Sequence, residues 1–202
     1  MNDVSANAAT GEHVYAYRPS LLGAGWSFRL TAAGLAWDIG RRSGLVPYRA
    51  IHRVRLSYRP VSMQSQRYMM EVWADGAPTL KIVSSSWKGL MEQERLDKQY
   101  SAFVAELHDR IAQANGDGAA AVRFEQGSTP FLYWPGLAVF AGIAFGFAWL
   151  TVRALQSDAK AGAAFVGIFA LLFLWQGGNF FRRNRPGVYG PRALPDELLP
   201  KG

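Results

Sequence analysis

The chain has 202 residues, half of them apolar, a formal net charge of +7, three histidines and no cysteine. The missing thiols exclude disulfides, thiolate metal sites and thiol catalysis. The mild basic excess, spread over two regions, is not the footprint of a nucleic-acid binder.

A mean hydropathy of −0.03 averages a polar front over an apolar back. Residues 1–130 hold 15 Lys/Arg against 12 Asp/Glu, and residues 131–202 hold 7 against 3. Residues 1–17 are small, polar and aperiodic, with acidic groups and no apolar core of the roughly 7–15 residues that a secretory signal needs. A mobile arm is expected over 1–21. From Trp26 the pattern turns to short β-like runs. Trp26–Thr31 and Leu35–Ile39 flank an Ala-Ala-Gly turn, and 40–44 form a second turn before Leu45–Tyr48. In 52–59, Val54, Leu56 and Tyr58 alternate with Arg53, Arg55, Ser57 and Arg59, which predicts a strand with one buried and one solvated face. Tyr68–Ala74 and Thr79–Ser84 read as a hairpin around Asp75-Gly76-Ala77-Pro78. Leu96, Tyr100, Phe103, Val104, Leu107 and Ile111 then fall on one helical face, with Asp97 as N-cap and Asn115-Gly116 as stop.

Short antiparallel strands closed by one amphipathic helix make an α+β plan, a small bent barrel or sandwich over 22–114. Residues 44–56 (GLVPYRAIHRVRL) resemble the "IPY-x-x-I-x-x-V-x-L" segment of bacterial pleckstrin-homology-like (PH-like) domains, with Val46 in place of the usual Ile. The resemblance implies that Pro47-Tyr48 start a turn, that Ile51 plugs the barrel, and that Val54 and Leu56 enter the next strand's core. It implies a fold and carries no single activity.

Residues 115–130, rich in Gly and Ala, read as a tether. Two uncharged stretches follow, 131–152 and 161–181, each with ten Leu, Ile, Phe or Val. Each reaches the about 20 apolar residues that span a hydrocarbon core. The loop 153–160 carries two basic residues, while Arg110 and Arg123 precede the pair and Arg182, Arg183, Arg185 and Arg192 follow it. The positive-inside bias puts both flanks in the cytoplasm, in a bacterial inner membrane, with 153–160 on the far side. Tyr133, Trp134 and Trp175 suit an interfacial belt beside Arg182, Arg183 and Arg185. Ala138, Gly142 and Gly146 form a small-residue stripe that allows close packing on the second span, or on another copy. The Pro- and Arg-punctuated tail 182–202 reads as a solvated end, with an interaction peptide as the alternative.

No H-E-x-x-H motif, G-x-S-x-G elbow or complete G-x-G-x-x-G occurs, so no metal, cofactor or catalytic residue is expected. Trp26, Trp37, Trp73 and Trp87 read as core. Between Asp38 and Glu71 stand seven Arg and no acid. Arg41, Arg42, Arg53, Arg55 and Arg59 are the candidate contacts for anionic lipid headgroups or a protein partner, against the plain alternative of a solvated sheet face. The expectation is a non-catalytic membrane-anchored binding or scaffolding protein; the alternatives are an accessory subunit of a larger membrane complex and a lipid-acting enzyme.

Overall fold

The computed structural model describes residues 12–60, 66–89, 92–116 and 122–200. The chain forms two compact units: Met1–Gln126 with Gly187–Gly202, and Gly127–Pro186. The first is α+β, and its described residues form three sheets and one long helix.

Strands β1 (His13–Tyr17), β2 (Trp26–Leu30), β3 (Leu35–Ile39) and β4 (Ser43–Val46) make an antiparallel meander. Its register lines up Tyr15, Phe28 and Trp37 on the buried face. The β2–β3 turn depends on Gly34, whose φ is +155° and where a Cβ would lie 2.2 Å from the Val46 carbonyl oxygen.

The second sheet contains β5 (Ile51–Tyr58), β6 (Tyr68–Ala74) and β7 (Leu80–Val83), the last two forming the hairpin expected around Asp75-Gly76. Its inner face buries Val54, Leu56, Met70, Val72, Leu80 and Ile82 almost completely, each adding about 1.5–3 kcal/mol relative to exposure. Ile51 is buried too, just after the turn at Pro47 and a 3-10 turn at Tyr48–Ala50. A short ribbon, β8 (Ser85–Trp87) with β9 (Gln93–Arg95), precedes helix α1 (Asp97–Asn115). Tyr100, Phe103, Val104, Leu107 and Ile111 of α1 are buried, as their spacing requires. The ring of Tyr15 packs 5.4 Å from that of Phe103. Leu96 takes the N-cap position with no side-chain cap, and Asp97 sits in the first turn, ion-paired with Arg95. The helix ends at Gly116, whose φ of +63° favours glycine.

The barrel expected from the sequence is not closed: the two main sheets share no strand ladder. The hydroxyls of Tyr15 and Tyr17 join them instead, donating to the carbonyls of Val83 (2.5 Å) and Lys81 at the edge of β7.

Three segments correct the sequence reading. Within the supposed arm, residues 13–17 are β1; residues 1–11 lie outside the described residues. Within the supposed tether, Arg123–Gln126 form β10, which pairs in parallel with β5 in the register Arg123↔Arg53 to Gln126↔Leu56. The tail is not merely solvated. Gly187–Val188 form β11 beside β10, and a 3-10 turn at Asp196–Leu198 packs on β5, with Leu198 buried. The order of the second sheet is therefore β11-β10-β5-β6-β7.

The second unit is a hairpin of α2 (Pro130–Gln156) and α3 (Lys160–Arg183), both long and apolar enough to cross a membrane. Its seam is aromatic. Phe140 stacks on Phe173 at 4.8 Å and meets Phe181 at 5.2 Å, and Phe147 lies 5.5 Å from Phe173. Gly177 admits the Phe140 ring, which a Cβ there would meet at 2.1 Å. The expected packing of Ala138, Gly142 and Gly146 on the second helix does not occur. Ala138 and Gly142 are exposed, and a Cβ at Gly142 or Gly146 would meet nothing within 4 Å. Bulky rings rather than small residues set the separation of these helices.

Gly34→Ala places a Cβ against backbone in a conformation that L side chains rarely adopt, so we expect a loss of about 2 kcal/mol or more. Thermal unfolding of the detergent-solubilised chain checks this; an unchanged Tm contradicts the packing of the β2–β3 turn on β4.

Candidate functional site

The outer face of the second sheet is where β5 and β10 bring charged side chains together. Because they run in parallel and in register, Arg53, Arg55, Arg123 and Glu125 project from neighbouring strands. Oε2 of Glu125 accepts from Arg53 Nε at 3.0 Å and Nη2 at 2.7 Å, and from Arg55 Nε at 2.9 Å; Arg123 reaches Oε1 at 2.8 Å. One carboxylate thus gathers three guanidinium groups. On the far side, Arg53 lies 4.6 Å and Arg55 5.3 Å over the Trp73 ring of β6, a cation–π arrangement. Burial alone would raise the Glu125 pKa, but the hydrogen bonds from Arg53 and Arg55, with their charges, outweigh it and hold the carboxyl below the usual range.

This corrects the expected solvated face. Arg55 is 7% exposed and Ser57 is fully buried. Arg53 and Arg55 are therefore internal clamp residues, half or wholly withdrawn from any external anion. Arg41 and Arg42 are exposed in the β3–β4 turn, and Arg59, just after β5, is half-buried. Of the four tryptophans expected in the core, only Trp37 is buried. Trp73 serves the clamp, while Trp26 and Trp87 line an open groove of ≈ 540 Å³ with Arg18 and Lys88.

A second polar pair fixes the returning tail. His108 of α1 is buried, with Nδ1 2.7 Å from the Val104 carbonyl and Nε2 2.9 Å from the Tyr189 hydroxyl. A carbonyl only accepts, so Nδ1 carries the proton and Nε2 accepts from Tyr189. Burial lowers the His108 pKa to about 4, against a partial opposing effect of the Val104 carbonyl. Phe124 of β10 lies 5.2 Å from the imidazole ring and 5.7 Å from that of Tyr189.

In the hairpin unit, Tyr133 is buried and donates to the Phe181 carbonyl at 3.3 Å, whereas Trp134 and Trp175 are exposed. Asn184 is fully buried; its carbonyl accepts from the Ser128 N–H at 2.9 Å. Asn179 Oδ1 accepts from Arg183 Nε at 3.2 Å, and Arg182 and Arg185 are exposed. Among the described residues no group of three His, Asp or Glu could hold a metal ion.

What these features define is an α+β unit carrying an apolar helical hairpin. Comparison with family models, curated proteins and solved structures finds no match to this chain.

Two stability predictions follow from these groups. Glu125→Gln leaves three guanidinium groups around a neutral amide and costs about 3 kcal/mol, and pairing it with Arg55→Met recovers part of that loss. A near-neutral Glu125→Gln in denaturant unfolding contradicts the clamp. The His108 pKa is lower folded than unfolded, so the unfolded chain takes up a proton first. The contribution of His108 is fully present above about pH 6.5 and is lost towards pH 4, amounting to about 3 kcal/mol for a shift of that size. His108→Gln flattens that part of the pH–stability curve; an unchanged slope contradicts the buried neutral imidazole.

Proposed function

We propose that this chain is a non-catalytic, membrane-fixed binding module of a bacterial cytoplasmic membrane. Its first unit is a diverged PH-like domain, and its hairpin is the anchor. The observation that carries the reading is the pairing of Gln126 with Gly187. The hairpin is inserted between two neighbouring strands of one folded unit, so both of its ends return to the same side. None of the most apolar 18-residue window of α2, and 6% of that of α3, is buried. An apolar surface that large needs a covering phase, and lipid is the one that both helices fit. Arg182, Arg183 and Arg185 at the returning end favour the cytoplasmic side for the α+β unit and both termini.

The PH-like assignment is supported by a four-strand meander, a second meander β5–β7 and a following helix, together with the buried Ile51, Val54 and Leu56. The recognition surface is placed at one end of the first sheet. Leu22 is 95% exposed in the β1–β2 loop. The adjoining β3–β4 turn carries Arg41 and Arg42, and a Cβ at Gly40 would touch that of Ala24 at 3.6 Å. An exposed apolar tip beside two cations suits the surface of an anionic leaflet, at about 1 kcal/mol per basic residue. The accessory-subunit reading retains one support, the unoccupied Ala138–Gly142 face of α2, and predicts a stoichiometric partner after mild extraction.

Hydrogen exchange of the full chain in nanodiscs tests the lipid contact. Amides of 20–25 and 40–42 should exchange about ten-fold more slowly in discs containing phosphatidylglycerol than in phosphatidylcholine alone, by the same per-residue energy. Arg41→Glu with Arg42→Glu should abolish the difference. Equal exchange in both discs removes anionic lipid as the ligand of this end.

A further inference from the structure

The seven arginines between Asp38 and Glu71 separate by partner. Arg53 and Arg55 are held by Glu125, Arg49 donates to the Ala114 carbonyl at 2.9 Å, and Arg41 and Arg42 stand in water. Arg59 and Arg67 fit none of these groups. They face each other across the mouth of the β5–β6 hairpin, where the Arg59 N–H donates to the Arg67 carbonyl at 2.8 Å. The Arg67 Nε donates back to the Arg59 carbonyl at 3.1 Å, which folds its guanidinium over the strand pair. Both side chains belong to half-buried residues, and the Arg59 Nε is closed off from water with no hydrogen-bond partner. Among the described residues no carboxylate pairs with either.

Two like charges held together and partly desolvated are unfavourable without a counter-charge. Burial lowers the Arg67 pKa; Tyr17 opposes the shift and the neighbouring Arg59 charge adds to it. The pair contrasts with Arg55 and Arg53, which carry the same kind of groups two and three strand repeats before Arg59 but have their anion built in. Here no described residue supplies the anion.

We propose that Arg59 and Arg67 form a binding site for a phosphate monoester, whose double negative charge matches two guanidinium forks. Planar forks bind phosphate oxygens bidentately, which a lone ammonium cannot do. The place of the pair in the sheet bears on the source of the phosphate. Strand β10 runs parallel to β5 and ends at Gln126, opposite Leu56, so the chain leaves for the hairpin from the end of the sheet where Arg59 and Arg67 stand. A lipid headgroup is one source and a free phosphorylated solute the other; the lipid arm alone rests on the membrane reading above.

The test uses the full wild-type chain and the arginine reagent phenylglyoxal, with the modification rate at each arginine read by peptide mass spectrometry. Inorganic phosphate is added in neutral detergent against chloride at equal ionic strength. Separately, nanodiscs of phosphatidylcholine are compared with discs containing phosphatidic acid or phosphatidylglycerol. The site predicts about ten-fold slower modification of Arg59 and Arg67 in at least one arm, as expected for a charge-assisted bidentate contact, with exposed Arg192 unchanged. Protection by inorganic phosphate assigns a soluble ligand; protection by phosphatidic acid alone assigns a headgroup. Equal rates in every arm, or equal protection by the diester phosphatidylglycerol, overturn the proposal. Because the phosphate arm needs no bilayer, its result is independent of whether the hairpin is an anchor.

Discussion

The structure depends on one topological constraint, the pairing of β10 with β11, the strands that precede and follow the apolar hairpin in the chain. The two long apolar helices are inserted within the sequence of a folded unit rather than appended to one end of it. Strand β10 delivers the chain to α2 after residues 127–129, and α3 hands it back to β11 after 184–186. Both connections are short, and both strands are hydrogen-bonded into the sheet that holds β5. The strands that precede and follow the hairpin are thus neighbours in one sheet of the first unit.

The pairing of β10 with β5 explains the charge arrangement. A parallel partner beside β5 would place the arginines of β5 against those of β10 if β10 carried only Arg123. Glu125, one residue pair further, turns that repulsion into a shared hydrogen-bond network with Trp73 behind it. The tail then closes over β5 with Leu198, and Tyr189 satisfies the buried imidazole of His108. Removing a carboxylate from such a group strands several cations at once, and for that reason the clamp matters more to the fold than an exposed ion pair. Of the seven arginines between Asp38 and Glu71, those at 41, 42, 59 and 67 are held neither by Glu125 nor, like Arg49, by the Ala114 carbonyl.

Much of the plan was legible in the sequence because it rests on short-range periodicity. The alternation of Val54, Leu56 and Tyr58 gave β5, the Asp75-Gly76 turn gave β6 and β7, and the spacing from Tyr100 to Ile111 gave α1. The uncharged stretches gave both apolar helices to within a few residues. What was missed is non-local. Val122, Phe124 and the polar residues between them alternate like a strand, but that signal is four residues long and lies in a Gly-rich setting. Tyr15 and Tyr17 carried a comparable signal in β1, masked by the polar run before them. Nothing in Gly187-Val188 announces a strand, since its partner supplies the reason for it. The role of Arg53 and Arg55 could not be seen without β10, because their acid lies 72 and 70 residues away. The small-residue stripe misled for a related reason: Phe140 and Gly177 fit each other, and spacing along one helix does not reveal which face its neighbour takes.

The central claim is that the hairpin crosses a bilayer and brings both flanks back to one side. The natural absence of cysteine allows single-cysteine labelling without background. Ser157→Cys in the short loop, Ser43→Cys in β4 and Ala193→Cys in the tail are each treated with a membrane-impermeant maleimide in intact spheroplasts and again after lysis. The account predicts that Ser157→Cys reacts in intact spheroplasts and that the other two react only after lysis. Labelling of all three from the same side would contradict it.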